Sequence, residues 1–282
     1  MQGGILTGSG GEKFEAELNI GFARVLAGAT SFKDSGIANL SDTYRGQIYT
    51  STHETRFAFI KDIPARELAN EIMATATAAA LGLPVPPAFL AFVPEGDLAI
   101  KHAPRVSGGY IVFASGDVDS PSVSSIAKKS AFSSASIRKI VEVLLQGDLA
   151  GVYEFDTWSA NVDRHTGNIL LSGSGAFWLI DQGRCFSGPE WSPSDLVASA
   201  TFTNRLKDWV TPHLNEDEID QLMGAVGSMV SKAADVNLRE IGQRGLIHDL
   251  IGEDDFDALI TFLTDRLPQV TRLTADALGR LT

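Results

Sequence analysis

The sequence predicts an α+β protein in two lobes: a β-rich N-terminal lobe with one helix, and a largely α-helical C-terminal lobe. Three observations lead there. Up to about residue 116 the apolar residues fall in short runs rich in branched and aromatic side chains, which read as strands, around one helix-forming stretch. From 137 onward helical spacing dominates. Between them, 117–136 is rich in serine and poor in large apolar residues, the composition of a linker or loop with one short helix.

In chain order, residues 1–13 are glycine-rich and expected to be flexible. Phe14 to Leu26 alternates loosely and predicts a first strand. Gly36 to Thr50 predicts two short strands around a polar turn, Ser41 to Gly46. Arg56 to Lys61 is a strand by its aromatic and branched content. Ala65 to Leu81 is a helix, with Leu68, Ile72, Met73, Ala76 and Ala80 on a buried face and Gly82 and Pro84 stopping it. Phe89–Val93 and Leu98–Lys101 predict a hairpin around Pro94 to Asp97, and Tyr110–Ala114 a further strand. Ile137 to Val152 reads as a helix, and Leu196 to Leu281 is almost entirely helical in pattern. No internal repeat is present. The lobes are expected at 14–116 and 117–282, joined near 113–118.

With 282 residues and 44% apolar content, the chain is long enough for one large domain or two closely packed lobes. No run approaches the roughly 18 apolar residues a membrane span needs. No basic, then apolar, leader opens the sequence, and its single cysteine, Cys185, allows no internal disulfide, so a cytoplasmic protein is expected. The 23 basic against 35 acidic residues give a net charge of −12. Such a chain repels phosphate backbones and anionic lipid. Nucleic acid and membrane are therefore disfavoured as partners, whereas metal ions and basic protein segments fit.

The informative segment runs from Asn161 to Gly183. Two apolar strands, Ile169–Leu171 and Ala176–Ile180, flank a Ser-Gly turn and predict a β-hairpin. Asn168 precedes the first strand and Asp181 follows the second, so an antiparallel hairpin sets them side by side at its open end. Asp163 lies five residues before Asn168. This arrangement suits phosphoryl transfer, which needs Mg²⁺ on oxygen ligands and a group that orients the acceptor hydroxyl and takes its proton. Asn168 and Asp181 read as the metal ligands and Asp163 as the base. Asp156 reads as structural, because it lies outside the Asp-to-Asn spacing. His165 has no second histidine nearby to make a metal site, and reads as a buried residue bracing the loop.

Protein kinases use the same logic: an Asp, an Asn five residues later, and an Asp after the next strand. The order Asp163-Arg164-His165, then Asn168, then Ile180-Asp181-Gln182-Gly183, resembles the HipA-like kinases and their relatives the phosphatidylinositol kinases. Glu67 to Glu71, and the exit Leu81-Gly82-Leu83-Pro84-Val85-Pro86, also look like that family. The resemblance spans roughly 36 to 185. It implies a bilobal, protein-kinase-like fold and an ATP- and Mg²⁺-dependent Ser/Thr protein kinase. It further implies, as for many members, a toxin-type role with an antitoxin partner and a protein substrate such as a translation factor.

Kinases pair a strand lysine with a helix glutamate, so that the ammonium reaches the ATP phosphates. Lys61 and Glu71 fill those roles, with Glu67, one turn away, the competing partner. No Gly-x-Gly-x-x-Gly precedes Lys61. Ser41, Thr43 and Gly46 occupy the place of the phosphate-covering loop, where backbone amides can hold phosphate, although an ordinary hairpin turn explains them as well. Val112, Phe113, Ala114 and Ser115 would be the hinge whose backbone meets adenine. Gln182 stands where ordinary kinases have phenylalanine, and Cys185 reads as a small packed residue. Two other readings compete. A lipid or small-molecule kinase is disfavoured by the acidity of the chain. A nucleotide-binding pseudokinase serving as an interaction module is disfavoured by the retention of Lys61, Asp163, Asn168 and Asp181.

Overall fold

The computed structural model describes residues 20–32, 42–130 and 133–280. The expectations for residues 1–13, for 14–19 and for 36–41, Ser41 included, lie outside the described residues. The chain is β-rich at its N-terminal side and helical beyond it.

The β-rich part holds β1 (Ile20–Val25), β2 (Thr30–Ser31), β3 (Asp42–Thr50), β4 (Thr55–Asp62), β5 (Ala88–Pro94), β6 (Arg105–Val106) and β7 (Gly109–Gly116). Pairing runs β1-β5-β7-β4-β3-β2, and β3 also returns to β1. Five strands therefore close into a ring. β1 makes the closure possible because its two edges take different partners. Ile20–Arg24 run parallel to Ala88–Phe92, while Ala23–Val25 run antiparallel to Ile48–Thr50. The inside is filled by Val25, Ile48, Ile60, Phe89, Val93 and Val112, with Ala58, Ala91 and Ala114 between them. The alanines let so narrow a ring close without overpacking.

Two expectations fail here. Thr43 to Gly46 form no turn; they lie inside β3, opposite Ala58–Lys61 of β4. Gly46 is glycine for close approach, since a Cβ there would run into Ala29. Leu98–Lys101 is not a strand either. β5 pairs with β7, and the intervening loop is pinned by Asp62, whose buried carboxylate accepts from the amides of Lys101, His102 and Ala103 at 2.7, 2.9 and 2.8 Å.

Helix α1 (Ala65–Ala80) lies between the ring and the helical part. Leu68, Ile72 and Met73 are fully buried, each contributing about 1.5–3 kcal/mol of transfer free energy. Gly82 ends the helix at φ +80° while Leu83 N–H reaches back to the Ala78 carbonyl. α1 packs on β5 and β7 on one side and on the later helices on the other.

The serine-rich stretch contains α2 (Val123–Ser130), the short helix expected there. The single helix expected over 137–152 is two, α3 (Ser134–Leu145) and α4 (Leu149–Trp158). Asp148 caps α4 by accepting from Gly151 N–H at 2.9 Å, and Gly147 at the break lets the Phe177 ring pack close. The hairpin is present as β8 (Ile169–Leu171) and β9 (Phe177–Leu179). Residues 196–205 carry no helix. Beyond them come α5 (Leu206–Trp209), α6 (Glu216–Ala225), α7 (Ser228–Ala233), α8 (Leu238–Arg244), α9 (Ile247–Ile251), α10 (Glu253–Arg266) and α11 (Val270–Ala277). Of these, α6, α7 and α11 pack on α4, whose ten residues are all buried, while α8 and α9 pack on α1. Arg266 is buried among carbonyls, donating to Thr157, Ala198 and Ala200 at 2.9, 2.8 and 2.7 Å, and burial pulls its pKa down to about 10. Among the described residues, no helix is long and apolar enough to cross a membrane.

Candidate active site

A cleft of about 890 Å³ separates the strand ring from the helical part. From the ring side, Thr43, Lys61, Phe113 and Ser115 face it; from the helical side, Asp163, Asn168 and Asp181 do. The chain reaches each position for a local reason.

Lys61 stands near the end of β4, and its ammonium is surrounded. It donates to Glu71 on α1, and to Asp181 Oδ1 at 2.9 Å. Burial alone would lower the lysine pKa, but the two carboxylates outweigh it and hold Lys61 charged, above its ordinary value. Glu71, completely buried, uses its other oxygen to accept from Gln182 N–H at 2.9 Å. The glutamate thus joins strand, helix and the segment after β9. Glu67, the competing partner, packs instead against Gly183, where a Cβ would come within 2.9 Å of Glu67 Cγ.

The hairpin does what its sequence predicts. Ile180 N–H donates to the Asn168 carbonyl at 3.1 Å, so Asn168 and Asp181 sit together at the open end. Asn168 Nδ2 donates to the Asp163 carbonyl at 2.7 Å, which leaves Oδ1 without a hydrogen bond among the described residues. Asp181 has φ +62°, in the left-handed region, and its carboxyl is held below the usual carboxylate range chiefly by the Lys61 charge. An unbonded amide oxygen and an ionised, half-exposed carboxylate are hard oxygen donors, the set that suits Mg²⁺.

Asp163 lines the cleft beside them. Its N–H donates to Asn161 Oδ1 at 3.0 Å, and its carboxylate lies 3.6 Å from Arg184 Nε and 3.9 Å from His165 Nε2. His165 is exposed rather than buried, though it does brace the loop, since Nδ1 accepts from Gly167 N–H at 2.8 Å. In the neutral ring that bond leaves the proton on Nε2.

Beneath this loop lies a network whose partners are not visible in the sequence. Arg164 and Asp156 are both fully buried and paired at 2.9 Å. Arg164 also donates to the Ile180 carbonyl at 2.9 Å and to Gln182 Oε1 at 2.7 Å. Asp156 is structural, as its position outside the spacing suggests. Burial would lower the Arg164 pKa, but Asp156 overrides it and keeps the guanidinium charged. Asn70 on α1 is the second hub. Its Nδ2 donates to the carbonyls of Gly183, Cys185 and Gly188, at 3.0, 3.2 and 3.0 Å, and its Oδ1 accepts from Trp191 Nε1 at 2.9 Å. A lone amide on a helix's apolar face was the available signal. Cys185 is packed and inert, its thiol pushed well up by burial.

Two groups of predicted residues fall elsewhere. Val112, Phe113, Ala114 and Ser115 form no hinge. They lie within β7, and Phe113 to Ser115 are paired with β4 on one side and β5 on the other, so their backbone groups serve the ladders. Phe113 and Ser115 still turn side chains to the cleft, while Val112 and Ala114 point into the ring. The strand leaves the sheet at Gly116. Of the predicted phosphate loop, Thr43 lines the cleft from β3, whereas Gly46 sits farther along that strand against Ala29.

One further group, Asp42, Asp62 and His102, brings three metal-capable side chains within 4.8 Å of one another. Its carboxylates are engaged: Asp62 with three amides, Asp42 with Lys101 Nζ at 2.8 Å.

Comparison with known proteins adds the following. A family model described as HipA-like kinase matches residues 51–237. No curated protein matches the chain. Among solved structures, CtTel1 in its open conformation is 13% identical, with 87% of this chain and 12% of that chain covered at a TM-score of 0.36. The complete CtTel1 dimer with C2 symmetry is 13% identical over the same shares, at a TM-score of 0.35. This chain thus spans about an eighth of the length of those proteins.

Proposed function

The chain belongs to the HipA-like kinase family, and from that premise we propose that it transfers the γ-phosphate of Mg²⁺-ATP to a serine or threonine hydroxyl of a protein. The observation that carries the reading is the convergence of Lys61, Glu71, Asp163, Asn168 and Asp181 on one cleft, with Lys61 held charged between two carboxylates. The strand ring with α1, within 14–116, and the helical part, 117–282, act on this reading as the two lobes of a kinase.

The roles follow from the chemistry. Lys61 binds and orients the nucleotide phosphates, and Glu71 sets the height of its ammonium by tying it to α1. Asn168 Oδ1 and the Asp181 carboxylate hold Mg²⁺, which neutralises charge on the β- and γ-phosphates when bound. Asp163 orients the acceptor hydroxyl and takes its proton. Phe113 and Ser115 form part of the nucleotide's wall, and the chain beyond Gly116 serves as the connection between lobes. The acidity of the chain favours a protein acceptor over a lipid one. A toxin-type role, an antitoxin partner and a cytoplasmic site complete the reading by family.

Incubation of the purified protein with Mg²⁺, γ-labelled ATP and a cell lysate tests it. Acid-stable, base-labile label on serine or threonine of a protein is the expected result. Label confined to lipid, or nucleotide binding without any transfer, would sink it.

A further inference from the structure

Arg184 lies three residues beyond Asp181, on backbone that is fixed at both sides. The carbonyls before and after it, of Gly183 and Cys185, both accept from Asn70 Nδ2, at 3.0 and 3.2 Å. Gly183 is in turn pressed against Glu67. The side chain is treated quite differently. It is 43% exposed in the cleft, and its nearest carboxylate, Asp163 Oδ2, stands 3.6 Å from Nε. That is an ion pair but too long for a hydrogen bond. Its terminal nitrogens make no hydrogen bond among the described residues. Arg164, by contrast, is fully buried and bonded through all three nitrogens. One arginine holds the loop together; the other is left available.

The charges of the cleft say what for. Lys61 is already matched by Glu71 and Asp181. Of the other cations lining the cleft, Lys101 is paired with Asp42 and Lys128 stands on α2, whereas Arg184 lies beside Asp163, where the acceptor hydroxyl is read to sit. A planar guanidinium with unengaged N–H groups suits a phosphoryl group, to which it can donate two parallel bonds.

Resting on the kinase reading above, we propose that Arg184 is a further catalytic residue, whose guanidinium moves from Asp163 to the phosphoryl group in flight. In the step, the acceptor oxygen bonds to the γ-phosphorus while the bond from that phosphorus to the β,γ-bridging oxygen breaks. The bridging oxygen departs with the electron pair as part of ADP, and the acceptor proton passes to Asp163. Arg184 stabilises the charge on the three equatorial oxygens, and by leaving Asp163 it frees the carboxylate to accept that proton.

The test compares the full chain with Arg184→Ala and Arg184→Lys in three measurements: turnover, melting temperature, and displacement of a fluorescent nucleotide by Mg²⁺-ATP or by Mg²⁺-ADP with aluminium fluoride, a mimic of the planar phosphoryl group. The expected result is turnover reduced at least about 10²-fold in Arg184→Ala. Mg²⁺-ATP affinity should stay within about threefold, and the extra tightness of the fluoride complex should be lost, with incomplete rescue by lysine. Binding of the fluoride complex by Arg184→Ala as tightly as by the unaltered protein would overturn the assignment. So would a parallel loss of ATP affinity and melting temperature, which marks a structural residue. Failure of the unaltered protein itself to bind Mg²⁺-ATP would instead remove the kinase reading, and this inference with it.

Discussion

Lys61 and Asp181 are 120 positions apart in the chain and 2.9 Å apart in space. One comes from the end of β4, the other from the exit of β9, and Glu71 of α1 closes the triangle through Lys61. The contact sets the register of strand ring, α1 and hairpin against one another at the point where the proposed chemistry occurs.

Removing the ammonium should therefore harm both fold and function. Lys61→Met leaves Glu71 buried without its cation, a loss of about 3–5 kcal/mol for a broken buried pair. Chemical denaturation of Lys61→Met against Lys61→Met/Glu71→Gln should show the double variant recovering most of that stability, with phosphotransfer still absent. Equal stability of the two variants would contradict the pairing.

Asp181→Asn keeps size and removes charge. Mg²⁺-dependent nucleotide affinity, measured by titration calorimetry, should fall at least about tenfold, while binding without metal changes little. Identical affinities at matched Mg²⁺ would take Asp181 out of the metal site.

Asp163→Asn should keep Mg²⁺-ATP affinity and lower turnover roughly 10²–10⁴-fold, the usual worth of a positioned base. Near-normal turnover would transfer the role to another group.

Asp156→Ala tests the layer beneath. It strands the buried Arg164 guanidinium, and unfolding free energy should drop by about 3–5 kcal/mol. Asp163→Asn, by comparison, should melt close to the unaltered protein, since its side chain is 22% exposed. Similar melting of the two variants would show that the Asp156–Arg164 pair does not hold the loop.

Acid should reach Asp181 late. The Lys61 charge holds its folded-state pKa below the ordinary value, so its contribution is complete above about pH 4 and disappears as pH falls through the lowered value. Burial, with Asp181 beside it, pushes Glu71 up to about 7, so the comparison is made with Glu71→Gln in both proteins; there the difference in melting temperature made by Asp181→Asn should be flat from pH 8 to 5 and narrow below 4. A difference that narrows already between pH 7 and 5 in that background would place the Asp181 pKa above the ordinary range, against that effect of Lys61.

Much of this site is legible in the sequence because its rules are local. Hairpin geometry alone sets Asn168 beside Asp181, while the kinase pattern offers Lys61 two glutamates one helical turn apart, Glu67 and Glu71, and only the fold pairs it with Glu71. What stays hidden depends on distant partners. Gly46 looks like a turn residue until Ala29 is seen against it. Val112 to Ser115 look like a strand about to leave the sheet, yet β4 and β5 hold Phe113 to Ser115 from both sides. Arg164 stands in the motif and Asn70 is a lone amide on an apolar helix face, yet neither pattern says what they bond, and Arg184 carries no pattern at all; their roles come from carbonyls and carboxylates that only folding brings near.

The ring of strands also determines where this molecule tolerates being cut. The span shared with the family, 51–237, begins at the turn after β3. A fragment trimmed to it loses β1 and β3 together and turns a closed ring into three strands, β5, β7 and β4, with two raw edges. Ile60, Phe89 and Val112 would then face water, and unpaired amides would invite neighbouring copies to add on. Its far end would lack α10, whose Leu263 carbonyl receives Trp158 Nε1–H at 2.8 Å. The shared span can thus mark the catalytic parts without being a unit that stands by itself.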